Sequence, residues 1–406
     1  MVDFRRLEAI QELKSGIESN IEEKWWLKEK YQPKAYQVHE IEIAVNKILQ
    51  IFDNEWVVVI LNKWLRDQRR HHIMIRQLIE KGSYNLSILV GLGKNLIAIG
   101  SLRNIEDLIK DLKNDQKFLS AALEAEIAAE CVRKEFEVEL YPKLSGKIPD
   151  LKIALDSKVV YFEIAEIHPS QKMHSLHKTL NNLFRYVNPL IPENTSIKLT
   201  PNKLISNRQF NQIENRLKYI LKDHSELSTS FQINDLIVTV EKGKDDWGKS
   251  LYLAIPSDLM EVELQRLKNK IKKEAKQISK PNLGVIVVDA TNTLSYAFNA
   301  VGCRIKGGVS LTENLILDII LAVFEPVDKI TEHDKELEVI NKIKDTIKEI
   351  FEQSNYSNIL AVVVIRSFKF FKKKNEAIVV ENPYCEDFLL LKKIEGFEAF
   401  SRATNL

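Results

Sequence analysis

Apolar residues recur at helical spacing from residue 3 to about residue 115, and beyond one further amphipathic helix they recur at a spacing of two. Stretches such as "RLEAIQELKSGI", "HEIEIAVNKILQIF" and "WVVVILNKWLRDQRRHHIMIRQLIEK" predict an all-helical region. "KYQPKAYQ", "FDNEW" and "EKGSYN" supply the breaks between its helices. "KNDQKF" reads as a linker, and "KFLSAALEAEIAAECVRKEF" as the amphipathic helix that follows it. Strands are then predicted at "EVELYP", "PDLKIAL", "KVVYFEIAEI", "SIKLTP" and "DLIVTVEKG". Wholly apolar strands follow at "LGVIVVDA" and "NILAVVVIRSF", and an edge strand at "EAIVVENP". Helices are predicted between them at "SQKMHSLHKTLNNLFRYV", "MEVELQRLKNKIKKEAKQI", "LTENLILDIILAVF" and "KELEVINKIKDTIKEIFEQ". The expected architecture is α/β, a mixed central sheet flanked by helices, with a helical N-terminal domain over 1–115 and the α/β domain over 116–406.

Composition narrows the function classes only a little. With 45% hydrophobic and 29% charged residues the chain can bury a large core, and a net charge of +2 neither demands nor excludes a nucleic-acid partner. Three widely separated cysteines, Cys131, Cys303 and Cys385, form no CxxC pair, which argues against a disulfide framework or a zinc site and fits a reducing cytoplasm. "MVDFRRLEAI" lacks the apolar core of a signal peptide, and the greasiest stretches are too short for a bilayer, so no membrane association is expected.

The chemistry is concentrated in "GKIPDLKIALDSKVVYFEIAEI", residues 146–167. If its two strands form a hairpin turning at Asp156 and Ser157, the indices of facing residues sum to 313, and Asp150 faces Glu163. Two carboxylates about 5 Å apart at Cβ repel unless a cation lies between them or one stays protonated. Oxygen-only ligation of this kind suits a hard ion, Mg²⁺ or Mn²⁺. Upstream, Glu124, Glu126 and Glu130 lie on an alanine-rich helix able to approach the sheet closely.

This order of parts resembles the PD-(D/E)XK restriction-endonuclease-like nucleases: an acidic helix "EAEIAAEC", a short strand, Pro149-Asp150, a hairpin, and an apolar strand carrying Glu163. The resemblance covers residues 118–190. It implies that Asp150 and Glu163 bind the metal, that Glu126 (or Glu124) is the helix acid, and that the substrate is nucleic acid, DNA before RNA. The family's lysine, two residues after the strand Glu, is here Ala165, which removes a positive neighbour of the attacking water. Lys152, two residues from Asp150 and so on its face of the strand, is the expected substitute, while strict alternation turns Lys147 away. The alternative expectation is a nuclease-fold module without catalysis that binds nucleic acid or a protein partner. A homodimer is compatible with either.

Blander readings stand beside these. Asp150 has a turn-forming role open to it, Glu163 the outward position of a half-exposed strand, and the three helix acids a solvated face. His174 and His177 lack a third ligand at a suggestive spacing. The basic clusters "RDQRRHH" and "KFFKKK" are candidate phosphate contacts or solvated surface. "GLGKN" lacks the Ser or Thr of a nucleotide loop, and Trp25 and Trp26 read as core anchors.

Overall fold

The computed structural model describes residues 4–33, 36–66, 72–79, 81–155, 158–168, 170–173, 175, 192, 195–201, 207–222, 229–233, 236–242, 249–253, 257–290, 301–305, 333–367, 376–385 and 387. The chain divides into two compact units. The first comprises Met1–Glu166, Lys270–Asp289 and Ile347–Leu406, and the second Ile167–Asn269 and Ala290–Thr346. The helical region thus shares a unit with the main sheet, whereas the sequence pattern placed a boundary near residue 115. Helix-to-helix packing across that point accounts for the difference, because α5 (Ser83–Ala98) and α6 (Ile105–Leu112) both pack on α7 (Phe118–Arg133).

The helical region begins with α1 (Phe4–Glu22), α2 (Val38–Ile51), α3 (Asn54–Arg66) and α4 (Ile73–Ile79). In α2, Ile41, Ala44, Val45, Ile48 and Ile51 are buried, the stripe that a 3.6-residue period brings to one face. That face meets α5, and the crossing is tight: a Cβ on Gly93 would lie 2.2 Å from the Ala44 carbonyl oxygen. "GLGKN" is therefore the interior of a packed helix and its glycine a contact point for a neighbouring backbone. Trp25 and Trp26 are both buried, as anchors of the helical core.

The first unit's sheet has six strands in the order β1-β2-β3-β8-β10-β11. These are β1 (Glu137–Leu140), β2 (Leu151–Leu155), β3 (Lys158–Glu166), β8 (Leu283–Asp289), β10 (Ile359–Ser367) and β11 (Glu376–Glu381). β1, β2 and β3 are antiparallel neighbours, β3 pairs in parallel with β8, β8 in parallel with β10, and β11 closes the edge antiparallel to β10. β8 and β10 carry long apolar runs because both faces are covered there: Val285 to Val288 and Leu360 to Val362 are all fully buried. α7 lies against β1, β2 and β3, and its buried alanines, among them Ala121, Ala125 and Ala128, let it approach closely.

The second unit holds a five-stranded sheet, order β5-β6-β4-β7-β9, from β4 (Thr195–Pro201), β5 (Thr229–Ile233), β6 (Leu236–Lys242), β7 (Lys249–Leu253) and β9 (Val301–Ile305). Of these, β5, β7 and β9 had no clear signal in the sequence. Each is five residues long, too short for a period of two to stand out. α8 (Asn207–Lys222) packs on β5, while α9 (Ser257–Ala275) and α10 (His333–Phe351) each pass from one unit into the other. Among the described residues no helix is long and apolar enough to cross a membrane. "KFFKKK", "LTENLILDIILAVF", most of "RDQRRHH", and His174 and His177 lie outside the described residues.

Candidate functional site

β2 and β3 pair from Leu151 with Phe162 to Leu155 with Lys158, the register in which facing indices sum to 313. Asp150 stands immediately before β2. Its N–H donates to the Phe162 carbonyl at 3.1 Å, and its Oδ2 accepts the Ile164 N–H at 2.6 Å. The side chain thus takes a place in the ladder that a backbone carbonyl would normally fill, which pins it beside β3 at the level of Glu163. Asp150 does more than initiate a turn.

Glu163 lies between Asp150 and β8, where its partner in register is Ile286. It is 5% exposed, so it is not the outward residue of a half-exposed strand. Its Oε1 is buried without a hydrogen-bond partner among the described residues. Burial, and then the Asp150 carboxylate, push its pKa up to about 9. Asp150 is itself raised to about 7, chiefly by burial, with the Ile164 N–H working in the opposite direction by favouring the carboxylate.

The third acid is Glu124 of α7. It is buried and held well above the usual carboxylate range, first by burial and then by the Asp150 charge, while the Tyr141 hydroxyl, donating to Oε2 at 2.7 Å, lowers it. Glu126, the favoured helix acid on sequence grounds, is two residues further on and so about 200° round the helix. Helix phase therefore selects Glu124 as the acid in the field of Asp150. Glu130, at the far end of α7, is paired with Lys134 at 3.4 Å.

The cations are arranged differently from the sequence expectation. Lys152 faces Glu139 across the β1–β2 ladder and pairs with it at 3.0 Å, an interaction that raises its pKa. A carboxylate directly opposite on the neighbouring strand is nearer than one two residues along the same strand, and it takes the ammonium. Lys270 of α9 is the cation whose charge opposes the raised pKa of both Asp150 and Glu163. Its Nζ lies 3.0 Å from Glu274 Oε1, one helical turn away, and Glu274 in turn raises both acids. Lys147 also acts on Glu163, and its Nζ donates to the Lys276 carbonyl. It belongs to the loop before β2, where strand alternation does not apply.

Among the described residues no group of three or more His, Cys, Asp or Glu side chains is placed so that it could hold a metal ion. The donor atoms, as distinct from their spacing, are of the type a hard divalent ion takes. Asp150, Glu163 and Glu124 offer oxygen only, each charge is suppressed by burial, and Glu163 keeps one acceptor unused. Comparison with protein-family models, with curated proteins and with solved structures returned no match.

Sequence reasoning did not single out Tyr141, Lys270 or Glu274. The last two carried a signal of a kind, the single i, i+4 ion pair of "KNKIKKEAKQ" bordering the buried stripe of Leu267, Ile271 and Ala275, but such a pair is equally the mark of an ordinary solvated helix face.

Proposed function

We propose that this chain is a metal-dependent phosphodiesterase of the restriction-endonuclease-like fold, acting on nucleic acid, DNA before RNA. The observation that supports this is Glu163: a buried carboxyl beside a second acid, with one oxygen left without a partner among the described residues, on a central strand of the sheet. Such a group costs stability at every pH at which it ionises, and a divalent cation removes that cost.

Asp150, Glu163 and Glu124 would hold Mg²⁺ or Mn²⁺. When bound, such an ion lowers the pKa of a coordinated water and polarises the phosphodiester. The chain's own residues do the positioning: the Ile164 N–H fixes the Asp150 carboxylate, and the β2–β3 register fixes Glu163 next to it. Lys270, although its ammonium is paired with Glu274 at 3.0 Å, stands in for the lysine that Ala165 replaces because its charge acts on both Asp150 and Glu163, and it would supply positive charge for a developing phosphate anion. Buried Ala165 itself has nothing to contribute.

The test is Mn²⁺-dependent cleavage of plasmid and single-stranded DNA, read together with the Mn²⁺-induced shift in melting temperature. Asp150→Asn and Glu163→Gln abolish both, and Lys270→Met lowers cleavage about 100-fold while keeping the melting shift. A wild-type protein whose melting point Mn²⁺ does not move and which cleaves nothing ends this reading. The second reading, a nuclease-fold module that binds without cutting, is favoured by Ala165 and by the engagement of Lys152 with Glu139. Salt-sensitive DNA binding that survives Asp150→Asn would establish it.

A further inference from the structure

Tyr141 follows the last residue of β1 and has a φ of 49°, in the left-handed region that bulky L-residues rarely adopt. Such a conformation persists only where surrounding contacts over-determine it. Three contacts do so here. The Leu140 carbonyl just before it accepts the Asn104 side-chain amide at 2.8 Å, its own N–H donates to the Asp150 carbonyl at 2.9 Å, and its hydroxyl donates to Glu124 Oε2 at 2.7 Å.

One residue is thus bonded to the strand acid through its backbone and to the helix acid through its side chain. The left-handed turn makes this possible: an extended residue at 141 would continue β1 along β2 and carry the ring to one side of the sheet by strand alternation. The phenol is also the hydrogen-bond donor to a carboxyl that burial would otherwise leave poorly solvated.

We infer that Tyr141 is a positioning residue for the proposed metal site, tying the Glu124 carboxyl through its hydroxyl and the Asp150 backbone carbonyl through its N–H, so that helix and strand can turn their acids toward one ion. This rests on the phosphodiesterase reading and adds to it the residue that brings the helix acid into the ligand set. The phenol hydroxyl acts through Glu124, the carboxyl to which it donates.

The test uses the full chain, with Mn²⁺ as probe. Tyr141→Phe keeps the ring and removes the hydroxyl, and is expected to weaken Mn²⁺ binding about 10-fold to 100-fold, the range seen when an outer partner of a metal ligand is lost. Two readouts separate positioning from plain structural support. The electron paramagnetic resonance spectrum of bound Mn²⁺ in Tyr141→Phe should match that of Glu124→Gln, and the double variant should bind no more weakly than Glu124→Gln alone. An unchanged Mn²⁺ spectrum and affinity in Tyr141→Phe, or losses that multiply in the double variant, would overturn the inference. If Asp150→Asn abolishes Mn²⁺ binding while Tyr141→Phe has no effect, only the clamp is wrong. If Asp150→Asn leaves Mn²⁺ binding intact, the metal site falls and the clamp with it. The melting temperature of metal-free Tyr141→Phe shows whether the variant is folded. Should it not be, Tyr141→Trp, which retains an aromatic ring but carries its N–H at a different point from the phenol hydroxyl, must show the same altered Mn²⁺ spectrum for the inference to stand.

Discussion

His72 in the helical region and Glu163 in the sheet are both polar and both nearly inaccessible, yet their surroundings treat them in opposite ways. His72 sits among Phe52, Trp56 and Phe118, with its ring edge-on to Trp56 at 4.8 Å. Its Nδ1 accepts the Met74 N–H at 3.2 Å, so Nε2 bears the proton and donates to the Leu112 carbonyl at 2.9 Å. Both ring nitrogens are satisfied, and the ring joins α4 to the end of α6. Glu163 has an acid for a neighbour and an oxygen with no partner among the described residues. A satisfied buried polar group is a structural tie; an unsatisfied one is stability given up for some other use.

The sharpest way to break this comparison is to make both groups apolar. His72→Ala should destabilise the protein by about 4 kcal/mol, because it orphans the Met74 N–H and the Leu112 carbonyl and leaves a void among three aromatic rings. Glu163→Leu should act in the other direction, stabilising the metal-free protein by about 1–3 kcal/mol at pH 8, since it removes a buried carboxyl that no partner compensates. Chemical denaturation of the two variants decides the matter. If both lose stability, the distinction between tie and site collapses.

The pH dependence of the metal-free protein sharpens the same contrast, with a smaller effect. Glu163 and Asp150 have folded-state pKa values of about 9 and about 7, above ordinary values of 4.5 and 3.8. A raised acid binds its proton more tightly when folded, so the stability it contributes is complete below about pH 4 and is lost as pH rises through the folded value. The metal-free chain should therefore lose stability between about pH 4 and pH 9, and Glu163→Gln should flatten the upper part of that decline, from about 7 to 9. Mn²⁺ should restore most at the alkaline end, where both acids are ionised. Denaturation midpoints at a series of pH values, with and without Mn²⁺, would show a decline indifferent to Glu163→Gln if other groups were responsible.

What could be read from the residues alone follows the range of the interactions involved. The β2–β3 register was legible because a hairpin is local: once Leu155 faces Lys158, Asp150 and Glu163 are neighbours. β8, β10 and α7 were legible because long apolar runs and a sustained helical period leave few alternatives. Helix phase was harder. Glu124 and Glu126 are equally acidic, and only the direction from which α7 meets the sheet separates them. Lys270 and Glu274 were out of reach, since they return to the sheet only after the whole Ile167–Asn269 segment of the second unit. Tyr141 was hidden for another reason, a left-handed backbone at a residue that is not glycine.

Lys152 gives the smallest expected effect and tests how far strand alternation can be trusted as a guide to function. Its position two residues from Asp150 made it the natural substitute for the missing lysine, but its ammonium is taken by Glu139, and both side chains are about one-third exposed. A half-exposed pair of this kind contributes less than about 1 kcal/mol, so Lys152→Ala should barely move the denaturation midpoint. If the charge the site relies on comes from α9, Lys152→Ala should also leave the rate of Mn²⁺-dependent cleavage where it is, while Lys270→Met lowers it. The reverse pattern would return the role to the strand. It would mean that the Lys152–Glu139 pair opens when substrate phosphate competes for the ammonium, a competition that a pair so weakly held would permit.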